Sequence, residues 1–165
     1  MSNISHIVHP FEPVFDENCR ILILGSLPSV KSRENNFYYS HPKNRFWRLL
    51  SEIYLSDFPE SITEKKSLLL DNGIALWDSV MECDIHASSD SSIKNVVPTD
   101  LSSIFDSCDI RKVYANGALS AKIYNKYQKS IYQKDITVLP STSPANASWS
   151  FDKLKEKWQI IKTNK

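Results

Sequence analysis

Four short segments hold most of the side chains in this sequence that could do chemistry. They are Gly25-Ser26-Leu27-Pro28-Ser29, the run FYYSHPKNRFW from Phe37 to Trp47, the pair Asn116-Gly117, and PSTSPANA from Pro140 to Ala147. Gly25 permits a tight turn and the close approach of a ligand to the backbone, and Pro28 stiffens the exit from it. Asn44 can donate and accept a hydrogen bond at once, so it can hold a water or read a polar edge, though it cannot act as a strong general base. In the first turn of a helix the same residue would instead cap its own backbone. Ser26 or Ser29 with His41 suggests a nucleophile and base, but GSLPS is not the GxSxG elbow and no acid partner for His41 is evident.

Cations and flat rings are interleaved in the second segment. From Lys31 to Arg48 the chain carries Lys31, Arg33, Lys43, Arg45 and Arg48 against Glu34 alone, among Phe37, Tyr38, Tyr39, Phe46 and Trp47. Such a mixture suits a polyanion that bears stackable bases. A solvated helix start beside core aromatics would look the same. The net charge of +1 does not decide between them.

Several classes are excluded. With 3 glycines the chain has neither a dinucleotide fingerprint nor a P-loop. Cys19, Cys83 and Cys108 lie far apart with no CxxC pair, so buried free thiols are expected rather than a zinc or iron–sulfur site. His6, His9, His41 and His86 show no metal spacing. Neither a metal nor a cofactor is expected. No apolar run approaches the roughly 20 residues of a membrane helix, and the N-terminus has no secretory pattern. A cytoplasmic, nucleoid-associated protein without membrane contact is therefore expected.

The elements that must position these segments follow from the patterning. The 165 residues suit one domain over 1–165. Buried strands are predicted over 19–25, 74–80, 111–116 and 136–140. Helices are predicted over 43–53, over 62–72 with Gly73 as C-cap, from Thr99 or Asp100 to Cys108, and after Gly117. A final helix carries Phe151, Leu154, Trp158 and Ile161 on one face. The polar, serine-rich stretch 84–98 reads as a long loop. This alternation predicts an α/β three-layer sandwich, with a central, mainly parallel four-stranded sheet flanked by helices. Ligands of such sheets bind beyond the carboxyl ends of the strands, where GSLPS, Asn116-Gly117 and PSTSPANA all fall.

Taken together, GSLPSVKSRE, FYYSHPKNRFW, SSDSSIKNV and LPSTSPANA resemble the uracil-DNA glycosylase superfamily, and most closely its hypoxanthine-DNA glycosylase branch, from about residue 20 to residue 158. The resemblance implies a DNA repair enzyme that flips a deaminated base out of the helix and hydrolyses its N-glycosidic bond. It implies catalytic roles for Asn44 and Asn116. Gly25, Ser26, Leu27, Pro28, Tyr39 and His41 would contact the base, Tyr39 by stacking, with Tyr38 and Phe37 able to exchange roles with it. Ser29, Lys31, Ser141, Thr142, Ser143, Pro144, Ala145 and Asn146 would contact DNA, and the loop 88–95 would touch DNA or the pocket.

Better-known members carry a carboxylate or asparagine where this chain has Leu27. Leucine cannot position a water, which argues against efficient uracil excision and favours a purine. No lysine is clearly placed for a Schiff base, so a monofunctional enzyme is expected. DNA carrying a deaminated base is the expected partner, met by a monomer. A uracil or mismatch glycosylase and a non-catalytic DNA-binding module are the competing readings.

Overall fold

The structure, a computed structural model, describes residues 4–86 and 93–163. A four-stranded parallel sheet forms its centre. The strands are β2 (Ile21–Gly25), β3 (Ile74–Asp78), β6 (Lys112–Asn116) and β7 (Ile136–Leu139), in the order β3-β2-β6-β7. ILILG and IALWD are buried at every position, as apolar runs covered on both faces should be. Helices flank the sheet: α3 (Ile62–Asp71) packs on β3, and α5 (Ala118–Tyr127) on β2, β6 and β7. Farther out, α2 (Phe46–Ile53) meets α3 and α7 (Phe151–Trp158). Short helices α1 (Val30–Asn35), α4 (Ser102–Ser107), α6 (Lys129–Tyr132) and α8 (Ile160–Thr163) complete the set among the described residues.

Helix α2 begins three residues later than the pattern predicts. Pro42 and Lys43 form a turn closed by the Asn44 N–H on the His41 carbonyl at 2.9 Å. The Asn44 side chain then caps the Phe46 N–H at 2.9 Å. Phe46, Trp47, Leu49, Leu50 and Ile53 go into the core with Trp158 and Ile161.

The stretch read as a loop over 84–98 is a correction. Only Ser79 separates β3 from β4 (Val80–His86), which pairs antiparallel with β1 (Ile4–Val8) and β5 (Lys94–Pro98) in a second sheet, β1-β4-β5. The physical reason is alternation: Cys83 and Ile85 point inward while Glu82, Asp84 and His86 lie partly in solvent, the pattern of a sheet with one wet face. Across the strands, His6 bonds Asp84 at 2.7 Å. Residues 87–92 of the serine-rich stretch lie outside the described residues. All three cysteines are buried. No helix among the described residues is long and apolar enough to cross a membrane.

Candidate functional site

A cleft of about 700 Å³ opens where β2, β6 and β7 end. Asn44, Asn116, Tyr39, His41 and the turn Gly25, Ser26, Leu27 and Pro28 all reach its wall, as do Ser29, Lys31, Ser141, Thr142, Ser143 and Ala145. Pro144 and Asn146 do not line it. Three parallel strands and the loops that follow them thus assemble side chains more than a hundred residues apart.

Thr142 joins these segments. It is fully buried, and its Oγ1 donates to Asn44 Oδ1 at 2.9 Å while accepting from Asn116 Nδ2 at 3.0 Å. Its own N–H donates to Asn116 Oδ1 at 3.0 Å. Asn44 Oδ1 therefore serves both Thr142 and the Phe46 N–H, and the oxygen is identified by those two donors. What Asn44 has left to offer the cleft is its Nδ2 donor. Asn116 is 9% exposed, with both amide atoms engaged by Thr142. Its bonds fasten the end of β6 to the loop after β7.

Arg45, expected from the sequence only as one of the cations suited to a polyanion, instead fixes that loop. Its guanidinium donates to the main-chain oxygens of Trp149, Ser143 and Asn146, and its N–H to the Thr142 carbonyl at 3.1 Å. A planar fork of donors suits several carbonyls at once. Inside the loop, Asn146 Nδ2 donates to the Ser141 carbonyl at 3.0 Å. Ser141 and Ser143 accept from the N–H groups of Ser143 and Ala145, each at 3.1 Å. Their hydroxyl protons are left to donate elsewhere, in a loop whose shape is already set.

Tyr39 adopts φ 52°, a left-handed backbone seldom found for a bulky residue and often associated with function. Its ring lies 4.2 Å from that of Phe46 and forms part of the cleft wall. The hydroxyl is buried with no hydrogen-bond partner among the described residues. Burial, followed by the nearby Asp78 charge, pushes its pKa well above the ordinary tyrosine value, and the neighbouring Asn116 amide pulls slightly the other way. Tyr38 and Phe37 are in the core, Tyr38 with its hydroxyl on the Glu12 carbonyl at 2.9 Å. His41 Nδ1 accepts from the Lys43 N–H at 3.0 Å, which places any neutral-ring proton on Nε2.

The cations separate into different roles. Arg45 holds the loop, and Arg48 pairs with Glu52 and lies over the Phe151 ring. Of the five, Lys31 and Arg33 line the cleft, with Lys31 also 3.5 Å from Glu34. Ser29 caps α1 by accepting from the Ser32 N–H at 3.2 Å.

Asp78 was missed in the sequence. It ends β3 opposite Gly25 in the parallel register, is 3% exposed, and is the one carboxylate among the described residues lining the cleft. His9, also buried, lies 2.7 Å away from Nε2 to Asp78 Oδ2. The available signal was a lone acid closing an otherwise apolar strand. Gly25 also has a different reason from the expected one: a Cβ there would stand 2.3 Å from Asp78 Oδ1 and 2.8 Å from the Tyr39 hydroxyl. The close approach comes from the protein's own polar groups.

Comparison with known proteins gives a consistent picture. A family model described as the uracil DNA glycosylase superfamily matches residues 12–165. A Methanosarcina acetivorans protein named hypoxanthine DNA glycosylase is 34% identical over 153 residues, covering 92% of this chain and 95% of the relative. Its namesake from Methanosarcina barkeri is 37% identical over 139 residues, covering 82% and 86%. The solution NMR structure of a Methanosarcina acetivorans protein assigned as a uracil DNA glycosylase superposes with a TM-score of 0.78 at 33% identity, covering 93% of this chain and 95% of that one.

Proposed function

Because this chain belongs to the uracil DNA glycosylase superfamily, we propose that it is a monofunctional DNA glycosylase that releases deaminated bases, hypoxanthine first among them. The observation that carries this reading is the cleft itself, in which Thr142 ties Asn44 to the loop 141–145 at the strand ends, beside the Tyr39 ring. The shared name of two relatives, each 34% or more identical, supports hypoxanthine as the base.

A base inside a duplex is out of reach, so the nucleotide must be extruded into the cleft. The Tyr39 ring offers a stacking face, and the Ser141 and Ser143 hydroxyls offer donors to the phosphates. In the reaction the bond between C1′ and the purine nitrogen breaks, and its electron pair leaves with the base. Water adds its oxygen to the cationic sugar, and the proton it loses balances the one the base gains. Since Asn44 Oδ1 is held by Thr142 and Phe46, the residue acts through Nδ2. It orients the water or the sugar by donating, and removes no proton. A cationic sugar needs a positioned water more than a strong base, so Leu27 is tolerable. Asn116 acts through Thr142 as a positioning residue. The enzyme works as a monomer on DNA.

The test is base release from a labelled duplex with one hypoxanthine, beside a uracil duplex. Asn44→Ala and Asn44→Asp are the controls, the second keeping the oxygen that caps Phe46 while removing the Nδ2 donor. Hypoxanthine release that both substitutions reduce by about a hundredfold or more meets the expectation. Release of uracil alone would move the specificity to the competing glycosylase reading. Binding without release of either base would refute the enzyme.

A further inference from the structure

One donor of the cleft wall takes no part in the network around Thr142. His41 Nδ1 accepts the Lys43 N–H at 3.0 Å, so the neutral imidazole carries its proton on Nε2. His41 is partly exposed and is followed by the exposed Pro42 and Lys43, which sets it at the rim, whereas Asp78, Asn116 and Thr142 line the cleft from buried positions. The rim around it is braced. Ser40 donates its N–H to Ser32 Oγ at 3.1 Å, and that oxygen, on a residue 2% exposed, also receives the Ser29 hydroxyl at 3.2 Å. The Phe37 N–H closes on the Ser32 carbonyl at 3.1 Å. These bonds hold α1, which brings Lys31 and Arg33 to the cleft, against the turn that carries His41. The Asn44 N–H on the His41 carbonyl at 2.9 Å places His41 and Asn44 in that same turn.

We propose that His41 binds a phosphate of the extruded nucleotide, donating Nε2–H to a phosphate oxygen as a neutral ring, and does not touch the base. The inference rests on the glycosylase reading above, since it needs a nucleotide turned into the cleft. Such a nucleotide enters base first, with its sugar at Asn44, and leaves its phosphates at the rim. There His41 stands with the two cations that reach the cleft, company that suits the anionic part of the ligand. A phosphate oxygen accepts an N–H whatever the base, so the contact positions the nucleotide without reading it. The contact uses the neutral ring, because a second proton on Nδ1 would set donor against donor at the Lys43 N–H. Lys31 and Arg33 supply charge, and His41 supplies direction. An ammonium attracts a phosphate from many angles, whereas a ring N–H bonds along one line. The braced turn thereby sets which phosphate sits at the rim, and with it where C1′ stands relative to Asn44.

A duplex carrying one tetrahydrofuran abasic analogue tests this, because it keeps every phosphate and has no base to touch. Its affinity is measured at about pH 8, where free imidazole is neutral, for the unmodified enzyme, His41→Ala and His41→Gln. The alanine variant is expected to bind about fivefold more weakly, and the glutamine variant, which keeps a neutral donor, within about twofold of the unmodified enzyme. The slope of log K against log salt should be the same for all three, since a neutral donor removes no charge; loss of a cationic contact would change it by about 0.9. Undiminished affinity in His41→Ala would return His41 to the base. Equal loss in both variants, or a changed slope, would equally overturn the neutral phosphate contact. A second series replaces each linkage flanking the analogue by a methylphosphonate. At one linkage the replacement should weaken the unmodified enzyme more than His41→Ala, and simple addition of the two losses at both linkages would overturn the proposal. All of these outcomes are read without base release. Failure of the unmodified enzyme to release hypoxanthine would instead refute the glycosylase reading, with the phosphate contact still decided by the binding series.

Discussion

Replacing Thr142 by valine removes one hydroxyl and keeps the shape. The side chain is fully buried, so the space stays filled. The main-chain bonds of Thr142 to Asn116 Oδ1 and from Arg45 are retained. What disappears is the bond to Asn44 Oδ1 at 2.9 Å and the bond from Asn116 Nδ2 at 3.0 Å. Two neutral hydrogen bonds contribute about 1 kcal/mol each, and stranding the buried Asn116 donor adds on the order of 1 kcal/mol more. The expected loss is about 2–3 kcal/mol in urea unfolding, against less than about 1 kcal/mol for Thr142→Ser, which keeps the hydroxyl. Activity should fall further than folding does. Asn44 keeps only the Phe46 N–H as an anchor, so its Nδ2 loses its aim, and small misplacements of a positioned group can lower rates about a hundredfold. Single-turnover base release at a temperature where both variants are fully folded separates the two effects. In a cycle with Asn44→Ala, the double variant should be little worse than Asn44→Ala alone. Full activity in Thr142→Val, or losses that simply add, would show that Thr142 does not position Asn44.

Two other predictions come from neighbouring geometry. Gly25→Ala places a Cβ roughly 1 Å inside normal carbon–oxygen contact with Asp78 Oδ1. The carboxylate must turn and loosen its His9 bond, for a loss of about 2–4 kcal/mol in denaturant unfolding; base release should fall with it, and an unaffected variant would contradict the packing described. Burial pushes the Cys19 thiol from 9.0 up to about 11 and raises Cys108. A thiol raised in the folded state gives stability that is complete below the unfolded value and is lost as pH climbs from 9.0 through about 11. Native protein at pH 9 should therefore resist iodoacetamide while urea-unfolded protein reacts at all three cysteines, and rapid native modification of Cys19 would count against the buried placement.

The central sheet was legible because β2, β3 and most of β6 are short apolar runs covered on both faces, which makes them conspicuous, whereas β7, expected to be buried, lies at the edge with Thr137 and Val138 exposed. The second sheet was not, because Glu82, Asp84 and His86 occupy its wetter face and dilute the apolar signal of Cys83 and Ile85. Composition over a window hides an alternation that is only two residues wide. Three of the four segments came to one cleft for the reason expected of parallel sheets, their place after strand ends, and the run from Phe37 to Trp47 reaches it between α1 and α2. Asp78 escaped notice because one acid at the end of IALWD carries no spacing motif. Its meaning comes from Gly25 and His9, which the fold brings to it from 53 and 69 residues away in sequence.

The cations show most clearly why charge alone misleads. Five basic residues over 31–48 read as one binding stripe, yet Arg45 points inward to three carbonyls and Arg48 is engaged with Glu52 and Phe151. Lys31 and Arg33 are the two that reach the cleft. A surface so modestly charged gains little from counterion release, and in the proposed reading the hydroxyls and amides of the 141–145 loop supply more of the contact. Such donors act only over hydrogen-bond distance and only at good angles. A loop that used them while disordered would lose much of their value to the entropy of ordering. The Arg45 fork, Asn146 and the serine-to-backbone bonds remove that loss before DNA arrives. In the proposed reading, a half-buried arginine bound to main-chain oxygens is thus a means by which a nearly neutral protein grips a polyanion, and the FYYSHPKNRFW segment serves the phosphates through Arg45, which does not itself line the cleft.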